Sequence, residues 1–363
     1  MREAAALLTK LVGDRAGDWE REGVLPLELL RKLGAHGLLC AQVPSAHGGR
    51  GWTSRDNGAF TAHAGSLCGS LRSVMTSQGM AAWAIERLGD AAQRDHYLRR
   101  LTCGELAAAG FSEPQAGSDP AAMTTQIRPE GDSVVVDGRK AWVAAAHYAD
   151  LLVIGGKYGD GAAAVVVPSD AAGVRVERVA DPPGCRAAGH ATVVLDSVRL
   201  PGDAMVGAGA TIPLLVSSSL AYGRMSMAWG CVGILRACLE VVTRHRFGRP
   251  LSRHQRVAGQ VADLVSAEGV ATRLCEYASA CWDSGSPEMV IATVLAKYES
   301  ARRAAAGAEA AVRLLAEAGT PHEHIVARAY RDAKLMEIIE DSNEMCLLVL
   351  ADHAVRLAGG ELR

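Results

Sequence analysis

Three groups of residues in this chain could do chemistry. Near the C-terminus, the run Tyr330-Arg-Asp-Ala-Lys-Leu-Met-Glu-Ile-Ile-Glu340-Asp-Ser-Asn-Glu344 places Glu337, Glu340 and Glu344 about one helical turn apart. A carboxylate on a helix usually faces water. Here Leu335, Met336, Ile338 and Ile339 precede Glu340, and Met345, Leu347 and Leu348 follow it. Burial in such surroundings would raise a carboxyl pKa toward neutrality, where a proton abstractor works best. Far upstream, Phe111-Ser-Glu-Pro-Gln-Ala-Gly-Ser-Asp119 leaves a strand and turns on Gly117. Consecutive backbone N–H groups and the Ser118 hydroxyl could there grip an anion or the polar edge of a ring. Between the two, Arg244-His-Arg-Phe247-Gly-Arg-Pro-Leu opens a connection between helices, where a guanidinium could clamp a phosphate with two hydrogen bonds.

Such groups need rigid elements to hold them, and the pattern of elements changes twice along the 363 residues. Up to residue 104 the pattern is helical: Leu27, Leu29, Leu30 and Leu33 include pairs three and four apart, and 80–101 has no proline. From 105 to 208 it becomes β, with short runs Ser133–Asp137, Leu151–Ile154, Ala164–Val167, Val174–Glu177 and Thr192–Leu195 split by Gly, Asp and Pro. That reads as a small barrel or sandwich between helical neighbours. From 209 to 363 long Ala/Leu/Val-rich stretches, such as 292–316, predict a four-helix bundle. The expected class is α+β with three domains.

Charge and cysteine usage narrow the partners. With 38 basic and 40 acidic residues mixed along the chain, the net charge of -2 offers no footprint for nucleic acid or an anionic membrane. Nine scattered cysteines without a Cys-x-x-Cys pair predict reduced packing residues and a cytoplasmic protein. The longest uncharged run, 204–223, is broken by glycines and Pro213, which argues against a membrane span. His322 and His324 lack a third metal ligand, Ser217–Ser219 lacks a nucleophile elbow, and no Gly-x-Gly-x-x-Gly follows a first strand.

Five segments, taken in order, resemble the acyl-CoA dehydrogenase family: Phe111 to Asp119, Gly138-Arg-Lys-Ala-Trp142-Val, Arg244 to Leu251, Gln255, and the run ending in Glu340. The resemblance implies a helical N-terminal domain, a middle β-barrel domain that holds FAD, and a C-terminal bundle that also makes a homodimer or homotetramer. It implies Glu340 as catalytic base, removing the proton α to a thioester while a hydride passes to flavin N5. By the same resemblance Phe111, Ser112, Gly117, Ser118 and Trp142 would contact the flavin and its pyrophosphate. Arg244 and Phe247 would serve FAD across a subunit boundary, Ser342 and Glu344 would lie on the cofactor, and Ser118 and Arg224 on the substrate, with Arg224 orienting either the base or a polar acyl tail. The chain departs from the family at Ala144, where a Thr often hydrogen-bonds flavin N5, and at Asp341, where Gly usually follows the base. A second carboxylate there would raise the pKa of Glu340 or else point to solvent.

Within the family, Tyr277-Ala-Ser279, Ser286-Pro-Glu-Met289 and the Glu340 run resemble the acyl-ACP dehydrogenases of polyketide extender-unit biosynthesis, which make hydroxymalonyl or methoxymalonyl units. That resemblance implies a short hydroxylated acyl group on the phosphopantetheine of an acyl carrier protein, and an electron acceptor it does not identify. A generic short-chain acyl-CoA dehydrogenase, a flavin monooxygenase on the same fold and a scaffold without FAD are the alternatives.

Overall fold

The computed structural model describes residues 1–117, 119, 122–210, 212–247, 249–250 and 255–359. In the first helices, apolar spacing and capping account for where each begins and which face it buries. α1 (Arg2–Val12) buries Ala4, Leu8 and Val12, each one turn after the last. α2 (Ala16–Glu22) and α3 (Leu27–Ala35) follow. α4 (Ser54–Leu67) starts on Thr53, whose hydroxyl accepts from Asp56 N at 3.1 Å. α5 (Gly69–Leu88) is buried along most of its length, and α6 (Ala91–Thr102) opens with an Asp90/Gln93 capping box.

The β strands are β1 (Ala107–Gly110), β2 (Gln126–Glu130), β3 (Ser133–Val143), β4 (Leu151–Tyr158), β5 (Gly161–Pro168), β6 (Val174–Arg178), β7 (Ala191–Pro201) and β8 (Met205–Ala210). They form one sheet in the order β6-β7-β3-β2-β4-β5-β8, with β1 joined parallel to β4. Every strand run read from the sequence lies inside one of these elements. The sheet runs between end strands β6 and β8, and β3 is irregular against β7 between Lys140 and Val143.

The remaining helices are α7 (Ile212–Arg244), α8 (Gln255–Asp283), α9 (Met289–Leu315), α10 (Ile325–Met336) and α11 (Asn343–Leu357). A short hairpin, β9 (Arg246–Phe247) with β10 (Arg249–Pro250), joins α7 to α8. α7 is the axis of the molecule, touching α4, α5, α8, α9 and α10. It is apolar on nearly every face because nearly every face is covered; its segment Ser219–Arg244 is long and apolar enough to cross a membrane, yet 78% of its most apolar stretch is buried here. Glycine lets α4 and α7 meet backbone to backbone. A Cβ at Gly233 would lie 2.2 Å from Ala62 O. This packing sets α5 beside α7, and the site lies along that groove.

Candidate active site

Glu340 sits in the corner between α10 and α11, where the chain reverses through two successive left-handed residues, Glu340 (φ 52) and Asp341 (φ 70). Neither is glycine, so the corner is strained by roughly 1–3 kcal/mol per residue and must be held from outside. Ser342 caps α11, accepting from Met345 N at 3.3 Å, and Asn343 N donates to Glu337 O at 2.9 Å. Lys297 on α9, fully buried, donates to Asp341 O and, at 3.1 Å, to Asn343 Oδ1. Arg224 on α7 donates from Nε at 2.9 Å, and from Nη2, to Asp341 Oδ2.

The result is a carboxylate pressed onto α7. Oε2 of Glu340 is buried and has no hydrogen-bond partner among the described residues. A Cβ at Gly223 would lie 2.0 Å from it and 2.9 Å from Met80 Sδ of α5, so only glycine leaves room for the acid there. Burial, and then the negative charge of Asp341, raise the Glu340 pKa to about 7; Arg72, Arg224 and Lys297 pull it down but do not prevail. Of the two outcomes the sequence left open for Asp341, the structure takes the first, because Arg224 holds that carboxylate against the corner. Arg224 engages Asp341, and no hydrogen bond joins it to Glu340 itself.

The rival glutamates are placed differently. Glu337 Oε2 pairs with Lys334 Nζ at 2.8 Å, and its carbonyl braces Asn343. Glu344 is exposed in the first turn of α11, its pKa lowered by a bond from its own backbone N–H and by Ser342. Neither has a buried, unpaired oxygen.

The upstream turn is held by a buried acid that the sequence reading did not single out. Glu113 receives Lys140 Nζ at 2.7 Å, Thr124 N at 2.7 Å, Thr124 Oγ1 at 2.8 Å and Thr125 N at 3.0 Å, along with Thr125 Oγ1 and Gln115 Nε2. Burial alone would raise its pKa, but Lys140 and these donors win and bring it to about 2. For Lys140 burial outweighs the pair and lowers the pKa to about 8, so both partners are charged at neutral pH. Ala141 N donates to Ser112 O at 3.0 Å, which fastens this turn to β3. Phe111, Ser112 and Trp142 are thereby brought together.

Trp142 is the local outlier: it adopts φ 56 at the β3 irregularity, rare for a bulky residue, and its indole is 51% exposed. Behind it His190 is buried, ring centroids 5.9 Å apart, with its pKa lowered to about 4 by burial and then by Arg72. Gly117 has φ 49, and nothing lies within 4 Å of where its Cβ would be. Ser118 lies outside the described residues.

Arg244 ends α7 far along the helix from the corner, exposed, and pairs with Glu240 Oε1 at 2.6 Å one turn back. Phe247 ends β9 of the hairpin. Among the described residues, no ion pair joins Arg244 to the Trp142 turn.

Comparison with known proteins agrees with this fold. The acyl-CoA dehydrogenase N-terminal, middle and C-terminal domains match residues 1–105, 108–198 and 214–355. The solved structure of FkbI, described as acting in biosynthesis of the methoxymalonyl extender unit of the FK520 polyketide, is 61% identical, covers 97% of this chain and 99% of its own, and superposes with a TM-score of 0.92. Glutaryl-CoA dehydrogenase from Mycobacterium smegmatis, solved in complex with FADH2, is 26% identical over 99% of this chain and 95% of its own, with a TM-score of 0.90. Mouse mitochondrial short-chain specific acyl-CoA dehydrogenase is 28% identical over 94% of this chain and 85% of its own. With all three domain types matched in order along one fold, the chain belongs to the acyl-CoA dehydrogenase family.

Proposed function

We propose that this chain is an FAD-dependent dehydrogenase of short acyl thioesters in which Glu340 is the base. The observation that carries the proposal is the Glu340 carboxylate: buried, unpaired at Oε2, seated in the α5/α7 groove and with a pKa of about 7. Such a group can take a proton near neutral pH, and low polarity around it strengthens the pull on an acidic C–H. Arg224, Asp341 and Lys297 position it by fixing the corner.

The middle domain fits a flat ring with a polar edge. Trp142 offers an open aromatic face, and the turn from Ser112 to Gly117, frozen by Glu113 and Lys140, offers backbone donors. These residues would hold the flavin end, Ser342 and Arg244 would reach the phosphates, and Arg244 would do so from a neighbouring subunit. FAD when bound supplies the hydride acceptor. Ala144 brings no hydroxyl to that edge.

The groove beyond Glu340 closes early, which supports a short acyl group. Tyr222, buried, crosses to α5, where a Cβ at Gly79 would lie 2.2 Å from its hydroxyl, and Asn57 Nδ2 holds that oxygen at 3.2 Å. Trp83 and Trp282 meet behind it as a tilted pair with ring centroids 4.6 Å apart. Together with the likeness to FkbI, this supports a short, oxygenated acyl group on an acyl carrier protein, used to make a polyketide extender unit.

Glu340→Gln keeps shape but not basicity. It should bind FAD normally and slow flavin reduction by substrate about 10²- to 10⁴-fold, while Glu337→Gln retains most activity. Reduction of the Glu340→Gln flavin at the wild-type rate would overturn the assignment.

A further inference from the structure

Trp142 stands in a conformation that its surroundings must enforce. A φ of 56 is costly for a bulky residue, and the indole, 51% exposed, gains little from burial in return. Its ring neighbour is His190, which is 4% exposed; the ring centroids lie 5.9 Å apart and the planes meet at 64°. This is the edge-to-face arrangement that aromatic rings prefer. Two nearby side chains could not take its place. Lys140 is committed to Glu113 at 2.7 Å, and Ala144, whose carbonyl accepts from Ser77 Oγ at 2.7 Å, has only a methyl group to offer.

His190 is itself fixed by the backbone on both sides. Val143 pairs with Ala191 in the β3/β7 ladder, at the end of the irregularity that carries Trp142. Ala145 N donates to Ala188 O at 3.0 Å and His147 N to Gly189 O at 3.1 Å, so the residues leading into β7 are fastened to those that follow Trp142. On the other side, His190 O accepts from Val179 N at 2.8 Å, just past β6. The imidazole is thus the interior member of a ring pair whose other member faces outward. Both of its nitrogens are buried and make no hydrogen bond among the described residues. A phenylalanine would fill the place without that cost. Burial and then the Arg72 charge lower its pKa, and the Trp142 backbone raises it by less, so the ring is neutral at neutral pH and carries one N–H. An uncommitted N–H at a ring edge is drawn to the π face of an indole.

We infer that His190 is a positioning residue for the cofactor platform: its ring holds the Trp142 indole outward in the left-handed conformation, so that a flat ring arriving there meets a surface already formed. The inference rests on the proposal that Trp142 and the turn from Ser112 to Gly117 hold the flavin end of FAD, and it adds the residue that sets that surface. Without an aromatic edge behind it, Trp142 would leave its strained conformation most of the time, and FAD would have to restore it on binding. When only about a tenth of the molecules present the platform, apparent FAD affinity falls about ten-fold.

The test measures FAD affinity of the full-length protein by flavin fluorescence. His190→Leu fills much of the same volume without an aromatic edge and should weaken FAD binding about ten-fold, whereas His190→Phe keeps the edge and should stay within about three-fold of wild type. Trp142→Leu should itself bind FAD more weakly, and in that background His190→Leu should cost no further affinity, because the residue it positions is gone. Where His190→Leu does not fold, His190→Gln replaces it with the same expected loss. A packing role predicts otherwise: leucine would serve as well as the imidazole, or the loss would be equal in both backgrounds. Either result would overturn the inference, as would a His190→Phe variant that binds as weakly as His190→Leu. Those outcomes leave the flavin reading standing. A wild-type protein that takes up no FAD would overturn both.

Discussion

Asp341→Asn isolates the electrostatics of the base. With the Glu340 pKa at about 7, its ionised fraction rises from about 9% at pH ~6 to about 91% at pH ~8, so flavin reduction under substrate saturation should rise about 10-fold across that range. Burial is the main cause of the raised pKa and the Asp341 charge the next. Removing that charge also deprives Arg224 of its ion partner. Both changes favour ionised Glu340, and the midpoint should fall below about 7. At pH ~6 the variant should then reduce its flavin faster than wild type, while its high-pH plateau drops because a less basic carboxylate is a weaker proton acceptor. The same pKa has a stability consequence. A buried carboxyl whose folded pKa is raised contributes stability that is fully present below about 4.5 and lost as pH rises through about 7. Anaerobic stopped-flow bleaching across pH, with Glu340→Gln as the flat reference, is the assay. A midpoint that stays at about 7 or moves upward in Asp341→Asn would refute the argument that this pair sets the base.

Glu20, buried against Ser70 and Arg331, has its pKa raised to about 7 by burial and then by Asp332; melting temperature should therefore fall as pH rises through about 7, and Glu20→Gln should flatten that dependence. Lys140→Met leaves the Glu113 carboxylate buried without its cation, so thermal stability should fall by about 3–5 kcal/mol and FAD should leach from the protein. Glu113→Gln combined with Lys140→Met should lose less than Lys140→Met alone, as double-variant melting curves would show. Arg244→Ala should leave the protomer folded, since the side chain is exposed and its ion pair is with exposed Glu240. Its affinity for FAD, followed by flavin fluorescence, should nevertheless weaken about ten-fold or more.

What could be read from the sequence was what periodicity and apolar context encode. The apolar run Val134, Val135 and Val136, bounded by Ser133 and Asp137, located β3, and the apolar residues around Glu340 located a buried acid. What could not be read was how the corner is held, because its supports are distant in sequence: Lys297, 44 positions before Asp341, was not singled out, and Arg224, 117 before it, was implied as an orienting residue without its partner Asp341. Nor does any turn-forming residue announce the left-handed conformation of Trp142, which the β3 irregularity and its neighbours impose. Arg72 was passed over for a related reason. An arginine among Ser70, Ser73, Thr76, Ser77 and Gln78 reads as part of a solvated face, yet all of these are buried. A helix whose polar stripe never meets water must spend that polarity inside. In α5, Gln78 and Ser77 spend theirs on the β1 backbone, and Thr76 spends its hydroxyl on Ser226. Arg72 is the cation of the stripe, and it spends its donors on Thr76 Oγ1, Met336 Sδ and Cys185 Sγ.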